Sequence, residues 1–372
     1  MSWFDWAAHE LAVVRGAGRL RAPRDFDAAG PEGKLGPDAR PVVSFASNDY
    51  LGLTQHPHVV DAAHRALDRW GAGAGSARLI VGSRPVHSEL ESALARWKGT
   101  AAAALFPTGF ATNLGVLTTF AGPNVLVCSD ELNHASIIDG CRLARADVAV
   151  YRHRDLEHVA ELVAGAAGRR VIVVTDTVFS MDGDVAPLPD LLALGRESGA
   201  LLVIDEAHAV LGPDPGPLLD DAPVLRVGTL SKTLGALGGF VAGPGPLVDL
   251  VVNRARPYIF TTASTPADAA AALAALEVLC SPEGDALVAR LRAHVDRVRS
   301  GHPSPIIPVV CGDESAALDA AAALLERGLL VPAIRPPTVP SGTARLRVAL
   351  SAAHTDEQID RLVRALGERA LA

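Results

Sequence analysis

A single lysine, Lys232, lies in the run GTLSKTLGALGGF, where its neighbours are glycine, small hydroxyl residues and aliphatic residues. A lysine in a loop ordinarily points into solvent, because lysines are almost never fully buried without a partner. The alternative is that its amine is a nucleophile held close to a flat ligand. The other polar residues of the chain decide between these interpretations.

A second candidate is Asp205, which ends the apolar run LLVID and begins DEAH. An unpaired carboxylate is costly to bury, so a cationic group should meet it. DEAH also occurs in ATP-driven helicases, but those proteins need a phosphate loop of the form G-x-x-x-x-G-K-[ST], which this sequence lacks. The segment GAGAGSARL misses the dinucleotide pattern G-x-G-x-x-G and follows a helix-like stretch. A nucleotide-binding protein is therefore the remote alternative.

Lys232 and Asp205 together fit a pyridoxal phosphate site. This cofactor needs a lysine for its imine, an acid beside its pyridinium nitrogen and donors for its phosphate. The segment PTGFATN breaks at Gly109 and starts a helix, so the N–H groups of Gly109 and Phe110 can bind phosphate at a helix N-terminus. Thr229, three residues before the lysine, offers a hydroxyl to the same phosphate.

Three further polar residues belong at this site by their position in the sequence. His134 in ELNHAS can lie flat over the cofactor ring, and His208, three residues after the DEAH aspartate, can hydrogen-bond the ring oxygen. Ser180 in TDTVFSMDGD is either a cofactor contact or part of a turn, because an Asp-Gly pair follows it closely.

The elements that would position these residues alternate along the chain. Short β-branched runs are separated by amphipathic stretches such as DLEHVAELVAGAA; the runs are NVLVC, DVAVYRH, RRVIVVTDTVFS, ALLVIDEAH, VLRVGTLS and GGFVAG. This alternation predicts a mostly parallel sheet covered by helices on both faces. Ligands of such sheets bind beyond the carboxyl ends of the strands, so the polar strand ends should converge on one site.

Composition excludes several other classes of protein. With 372 residues, 49% of them hydrophobic, the chain can bury a large core in about two domains. Its net charge of -8 gives no broad cationic surface for nucleic acid or an acidic membrane. Four cysteines without a C-x-x-C pair indicate neither a metal site nor a disulfide framework, and they fit a reducing compartment.

Two segments bear on localisation. Residues 99–129 carry no charge, but prolines and glycines divide them into a strand-like, a helical and a second strand-like piece, which favours a buried α/β core over a membrane span. The N-terminal residues contain acids and no sustained apolar run, so they predict a helix rather than a signal peptide. We therefore expect a cytoplasmic protein.

The motifs SNDYLGL, HASIIDG, VFSMDGD, DEAH, GTLSKTLG and RLRVALSAAHT, in this order, resemble the α-oxoamine synthases, and the resemblance spans nearly the whole chain. These are fold type I pyridoxal phosphate enzymes that condense an amino acid with an acyl thioester and release carbon dioxide. The resemblance implies an α/β fold with a mostly parallel seven-stranded sheet in a large domain and a smaller α+β C-terminal domain. The expected boundaries are 1–45 for an N-terminal helix and arm, 46–282 for the large domain and 283–372 for the small domain. A homodimer with active sites at the subunit interface is also implied.

The same resemblance assigns roles to individual residues. It makes Lys232, His134 and Asp205 catalytic: the imine lysine, the residue stacked on the ring and the pyridinium partner. Arg347 would clamp the substrate carboxylate with two hydrogen bonds, a geometry that lysine cannot copy, and Asn48 would lie nearby. Further cofactor contacts and contacts to the acyl substrate complete the set: Gly109, Phe110, Ser180, His208, Thr229 and Thr262 for the cofactor, with Thr262 reaching the neighbouring subunit, and Arg21 and Thr338 for the acyl group. No metal is implied.

The choice of substrates follows from finer resemblance. The segment IRPPTVPSGTARLR is similar to the branch of the family that uses L-alanine and a pimeloyl thioester, carried by coenzyme A or a carrier protein, for biotin synthesis. Glycine-using relatives carry a T-R-N-I-S-G-like stretch where this chain reads SARLIVGS. A sister enzyme that uses glycine and a short acyl thioester is the alternative. Residues 209–223 are shorter and richer in proline than in relatives, which leaves the acyl-chain preference open.

Overall fold

The computed structural model describes residues 1–166, 168–216 and 223–370. The predicted N-terminal helix is present as α1 (Trp3–Gly16); Ser2 caps it, because its Oγ accepts the N–H of Asp5. Three short antiparallel strands follow: β1 (Phe26–Ala28), β2 (Glu32–Leu35) and β3 (Arg40–Ser44). The chain then enters the central sheet.

The central sheet has seven strands in the order β4-β10-β9-β8-β7-β5-β6. Their bounds are β4 (Ala102–Phe106), β5 (Val125–Asp130), β6 (Asp147–Tyr151), β7 (Arg170–Asp176), β8 (Leu201–Asp205), β9 (Val224–Thr229) and β10 (Gly239–Gly243). Strands β5 to β9 pair in parallel, and β10 runs antiparallel to both of its neighbours. The prediction of a mostly parallel seven-stranded sheet is confirmed.

Helices cover both faces of this sheet. Their bounds are α2 (Pro57–Trp70), α3 (Pro85–Trp97), α4 (Gly109–Phe120), α5 (Ala135–Ala144), α6 (Leu156–Ala164), α7 (Leu188–Ser198), α8 (Gly245–Arg254) and α9 (Arg256–Ile259). Successive residues of a strand face opposite sides, so Val173 packs with α6 and α7 while Val174 packs with α4, α5 and α8. This two-sided burial explains why the strands are continuous apolar runs. Gly199 ends α7 with a φ of 71°, a backbone conformation that favours glycine.

The C-terminal part builds a smaller sheet. Helices α10 (Pro266–Leu279) and α11 (Pro282–Val298) lead to β11 (Ile306–Gly312), α12 (Glu314–Glu326), β12 (Leu329–Leu330), β13 (Ala333–Ile334), β14 (Ala344–Ala349) and α13 (Asp356–Ala370). Strands β11, β14 and β13 form an antiparallel sheet, whereas β12 joins β3 in parallel, with Leu329 opposite Val43. The N-terminal strands therefore share a sheet with the C-terminal part. The domain boundaries at residues 45 and 282 stay predictions.

The carboxyl ends of the strands bring polar residues together at one edge of the sheet. Strand β7 ends at Asp176 and β8 at Asp205, and these two residues are direct register partners.

Residues 99–129 form β4, α4 and β5, as predicted. Within the described ranges, no helix combines the length and apolar character needed to cross a membrane.

Candidate active site

A cavity of about 210 Å³ opens beyond the carboxyl ends of β7, β8 and β9. Eight of the nine predicted cofactor residues line it: Gly109, Phe110, His134, Ser180, Asp205, His208, Thr229 and Lys232. The ninth, Thr262, lies outside this lining, on the surface. The fold thus brings the predicted group together from α4, the β5–α5 turn and the segments after β7, β8 and β9.

Lys232 is half-buried in this cavity, in the turn between β9 and β10. Burial lowers the pKa of its amine, while the carboxylates of Asp205 and Asp176 oppose that shift. Its Nζ lies 2.8 Å from Nε2 of His208. The lysine is therefore neither a loop residue pointing into solvent nor half of a fixed ion pair. Because its pKa is lowered, its amine loses a proton more easily than that of an exposed lysine.

A chain of hydrogen bonds connects Lys232 to the predicted carboxylate-binding arginine. Nδ1 of His208 lies 2.6 Å from the hydroxyl of Tyr50, which donates to Oδ1 of Asn48 at 3.1 Å. Nη2 of Arg347 donates to the same Oδ1, also at 3.1 Å. Burial first, then the charges of Lys232 and Arg347, hold the pKa of His208 well below its usual range. A neutral His208 satisfies every partner as the tautomer that donates from Nδ1 and accepts from Lys232 at Nε2.

Asp205 is buried, with 5% of its surface exposed, and both of its oxygens have donors. Oδ2 accepts from Nδ2 of Asn113 at 2.6 Å, and Oδ1 accepts the N–H of Ala207 at 2.9 Å. These donors favour the ionised carboxylate, which would otherwise be costly at this depth. Both side-chain oxygens are thus held in place by donors at the floor of the cavity.

His134 caps α5 and lies at the mouth of the cavity, where it is exposed. Its N–H donates to Oδ2 of Asp176 at 2.9 Å, and its Nδ1 lies 2.8 Å from Oγ of Ser136. Burial raises the pKa of Asp176 well above its usual range, and the adjacent carboxylate of Asp205 adds to this shift. Backbone and ring of His134 are therefore both held in place.

The opposite end of the cavity is suited to an anion. Helix α4 begins at Gly109, and Oγ1 of Thr108 caps it by accepting the N–H of Ala111 at 3.0 Å. A side chain at Gly109 would place its Cβ 3.2 Å from Cβ of Thr229, so the close approach of helix and strand favours glycine. Oγ1 of Thr229 lies 2.8 Å from Oγ of Ser231. Backbone donors and hydroxyl groups meet here at the positive end of a helix dipole.

Ser180 lies in the connection between β7 and α7, which we call the Ser180 loop (residues 177–186). Val178 and Val185 bridge across its base, and the N–H of Phe179 donates to the carbonyl of Asp184 at 3.0 Å. The carbonyl of Ser180 accepts from Nε of Arg347 at 2.6 Å. The loop therefore touches both the cavity and the buried arginine of β14.

Asn48 and Arg347 do not line the cavity but are connected to Lys232 by the hydrogen bonds described above. Three other predicted residues lie further from it. Thr262 is exposed and forms an isolated bridge with Ala77. Arg21 is exposed in the N-terminal arm, and Thr338 is exposed in the turn between β13 and β14. Nη1 of Arg335 donates to the carbonyl of Gly18 at 2.8 Å, which brings that arm close to that turn.

Sequence reasoning missed several residues of this site, among them Tyr50, Asn113, Ser136 and Asp176. Asp176 ends the apolar run VIVVTD in the same way that Asp205 ends LLVID, so the signal was available. Asn113 lies four residues after Gly109, one helical turn along α4. The altered segment after DEAH, residues 209–223, is described only in part, because residues 217–222 lie outside the described residues.

The donor set fits pyridoxal phosphate. A lysine amine, a fixed carboxylate and a helix N-terminus with hydroxyl groups line one cavity, and these are the three groups that the aldehyde, the ring nitrogen and the phosphate require. The fit depends on Lys232, Asp205 and the first turn of α4.

Comparison with known proteins agrees with this chemistry. Residues 40–366 match the family model "Aminotransferase class I and II". The chain is 49% identical to an 8-amino-7-oxononanoate synthase of Anaeromyxobacter dehalogenans, over 97% of this chain and 94% of that protein. It is 48% identical to one of Alkalilimnicola ehrlichii, over 96% of each.

Solved structures of related enzymes also match this chain over most of its length. A serine palmitoyltransferase from S. paucimobilis, with a bound PLP–myriocin aldimine, superposes with a TM-score of 0.90 at 30% identity, over 99% of this chain and 98% of that one. An 8-amino-7-oxononanoate synthase from Francisella tularensis gives 0.75 at 25% identity, over 89% and 98%. The cofactor class is thereby confirmed, and the nucleotide-binding alternative is wrong. The chain belongs to the class I and II aminotransferase family of fold type I pyridoxal phosphate enzymes and, within it, to the α-oxoamine synthases of the 8-amino-7-oxononanoate synthase group.

Proposed function

We propose that this protein condenses L-alanine with a pimeloyl thioester, releasing carbon dioxide and a free thiol, to make 8-amino-7-oxononanoate for biotin synthesis. The observation that supports it most is the chain of contacts from Lys232 through His208, Tyr50 and Asn48 to Arg347, which joins a cofactor-binding amine to a buried guanidinium. Burial lowers the pKa of the Lys232 amine and the charge of Arg347 lowers it further, so a carboxylate bound by that guanidinium would lie near the amine's end of the cavity. The names of the relatives agree with this assignment.

Different residues of the chain would bind the cofactor, bind the amino acid and move its proton. Pyridoxal phosphate, when bound, supplies an aldehyde for the amino group and a ring that accepts electrons from the α-carbon. Asp205 would keep the ring nitrogen protonated, and the first turn of α4 with Thr229 would hold the phosphate. Arg347 would hold the carboxylate of alanine with charge-assisted hydrogen bonds. Lys232 would move the α-proton, because burial makes its neutral form accessible.

The acyl substrate would enter from the side of the N-terminal arm. Arg21 and Thr338 belong to the two segments that the Arg335–Gly18 contact joins, which supports a common role toward the distal carboxylate of the pimeloyl group. His134, exposed at the cavity mouth, would lie between cofactor and incoming thioester. Whether coenzyme A or a carrier protein delivers the group is decided by assaying both donors.

We also propose a homodimer with shared active sites. The Ala77–Thr262 bridge places two apolar segments on one surface, where Ile80 is 73% and Phe260 is 69% exposed. A second copy would cover this patch and bring Thr262 to the partner's phosphate site.

The four cysteines are free thiols, which agrees with a protein working in the cytoplasm.

The decisive experiment measures product formation. Purified protein loaded with pyridoxal phosphate is given L-alanine with pimeloyl-CoA or a pimeloyl-carrier protein, and 8-amino-7-oxononanoate is detected by mass spectrometry. Glycine with acetyl-CoA is the matched control, because the sister enzymes use that pair. Faster turnover of glycine with acetyl-CoA would reassign the protein to the glycine-using branch.

A further inference from the structure

His153 lies outside the cavity but contacts two segments that carry site residues. It follows β6, and its Nδ1 is 3.0 Å from Oδ1 of Asp130, the last residue of β5. Its Nε2 is 2.8 Å from Oδ2 of Asp184, in the Ser180 loop. Its ring meets the ring of Phe179 edge-on, with the centroids 4.4 Å apart. One imidazole thus bridges the end of a sheet strand and the loop that touches Arg347.

The partners of His153 determine its protonation state. A carboxylate only accepts hydrogen bonds, and a neutral imidazole has one donor and one acceptor. A neutral ring would therefore turn a lone pair toward one of the two carboxylates. An imidazolium donates to both. Partial burial lowers the pKa of His153, but hydrogen bonds to Asp130 and Asp184 outweigh it and raise the pKa to about 9.

Both carboxylates have further partners that fix the arrangement. Asp130 accepts the N–H of Leu132 at 2.9 Å through Oδ1 and the N–H of Arg154 at 2.9 Å through Oδ2. Nη1 of Arg154 also donates to Asp184 at 3.2 Å. The titratable or charged groups near the histidine include Asp130 at the end of β5, Glu131 after it, Asp184 in the Ser180 loop and His302 across that loop. On its own segment they include Tyr151, Arg152, which pairs with Asp155, and Arg154.

The Ser180 loop is held from its other side by β14. The carbonyl of Ser180 accepts from Nε of Arg347, and Asp182 forms an ion pair with Arg345. Nε of Arg347 is thereby held by the loop and Nη2 by Asn48, which together set the orientation of the guanidinium. If the loop moved, the guanidinium would lose one of the two contacts that orient it. We propose that His153 is a positioning residue: as an imidazolium between two carboxylates, it fixes the Ser180 loop on which Arg347 depends.

This inference rests on the proposed function, since it takes Arg347 as the carboxylate-binding residue. The test compares wild-type protein with His153→Gln, which removes the cation, and His153→Arg, which retains one with several donors. His158→Gln is the matched control: His158 is five residues further on, and its Nδ1 accepts the N–H of Arg152 at 3.0 Å. All four proteins are loaded with cofactor, and L-alanine binding is followed by the change in the visible absorption spectrum.

We expect His153→Gln to weaken alanine binding about tenfold, comparable with the lower limit for removing a residue that orients a metal ligand. The KM should rise with it while kcat stays within about threefold, because the loss concerns ground-state binding. His153→Arg should recover part of the affinity, and His158→Gln should behave as wild type. An unchanged dissociation constant in His153→Gln would overturn the role of His153. No spectral response in wild-type protein would instead contradict the proposed function.

Nitrogen NMR of ¹⁵N-histidine-labelled protein tests the same inference without catalysis, even if His153→Gln fails to fold. The spectrum at pH 7.5 should contain one imidazole with both nitrogens protonated, which stays so until the pH approaches 9. A neutral His153 ring at pH 7.5 would refute the bridge and with it the proposed role.

Discussion

Replacing Asp205 with asparagine separates the charge of this residue from its hydrogen bonds. Asparagine has nearly the same shape, and one of its side-chain atoms can still accept a hydrogen bond. The side-chain oxygen of Asn113 is buried without a hydrogen-bond partner among the described residues, so a flipped Asn113 amide can accept from the new amide. Both bonds to the side chain at position 205 can therefore persist. We expect a loss of about 1 kcal/mol in unfolding free energy, or no more than about 4 °C in Tm.

The catalytic effect of Asp205→Asn should be much larger. A neutral amide cannot hold the protonated ring nitrogen, and a hydrogen bond to a charged group is worth about 1.5 to 3 kcal/mol. At 1.36 kcal/mol for each factor of ten, this loss corresponds to a fall in kcat/KM of about 10-fold to 150-fold, and a smaller fall is not expected. The carboxylate also raises the pKa of Lys232, so its removal should lower that pKa further.

The assay combines three measurements on Asp205→Asn: kcat/KM with alanine and a pimeloyl donor, the thermal midpoint, and the amount of bound cofactor. Asp155→Asn is the matched control, because Asp155 caps α6 by accepting the N–H of His158 and asparagine caps helices equally well. A stable, cofactor-loaded Asp205→Asn protein with near-normal kcat/KM would refute the assignment of the ring-nitrogen partner.

The remaining predictions concern attachment, recognition, specificity and pH. Borohydride reduction followed by peptide mapping should label Lys232 and leave the other two lysines, Lys34 and Lys98, unlabelled; a label elsewhere would contradict the site. Arg347→Lys should raise the KM for alanine at least about tenfold, because one charge-assisted hydrogen bond is lost; an unchanged KM would remove its role. Glycine should be disfavoured against alanine by about 1 to 3 kcal/mol in kcat/KM, and a preference for glycine with acetyl-CoA would favour the sister enzyme. His153, with a folded-state pKa raised to about 9, stabilises the protein fully below about pH 6.5, and this contribution is lost as pH rises through 9; thermal midpoints from pH 6 to 10 should fall more steeply for wild type than for His153→Gln.

Sequence reasoning was most successful where one strand or turn carries the signal. The mostly parallel sheet and its covering helices follow from the alternation of apolar runs with amphipathic stretches, whereas the number of seven strands came from the family resemblance. Asp205 stands out because it ends an apolar run, and Lys232 because it is the single charge among glycine, small hydroxyl and aliphatic residues. The resemblance to the α-oxoamine synthases then assigned their roles, which stay predictions until tested.

Contacts between distant segments could not be predicted in this way. Tyr50 and His208 are 158 residues apart, and Asn113 and Asp205 are 92 apart. An asparagine on a helix or a tyrosine after a turn has no local feature that distinguishes a network member from an ordinary buried residue. Only the packing of α4 against the sheet and of the loop after β3 against the segment after β8 brings these partners into hydrogen-bond range.

The shared sheet of β1, β2, β3 and β12 affects how the protein emerges during synthesis. Arg40 and its partner Glu326 are 286 residues apart in the sequence, and Asn48 and its partner Arg347 are 299 residues apart. At about 5 to 20 residues per second, roughly 15 to 60 seconds separate the synthesis of these two hydrogen-bonded residues on the ribosome. During that interval the apolar side chains of β3 lack their C-terminal neighbours and are available to chaperones. A nascent chain can therefore complete the central sheet, with Lys232 in place, well before it can bind an amino acid carboxylate.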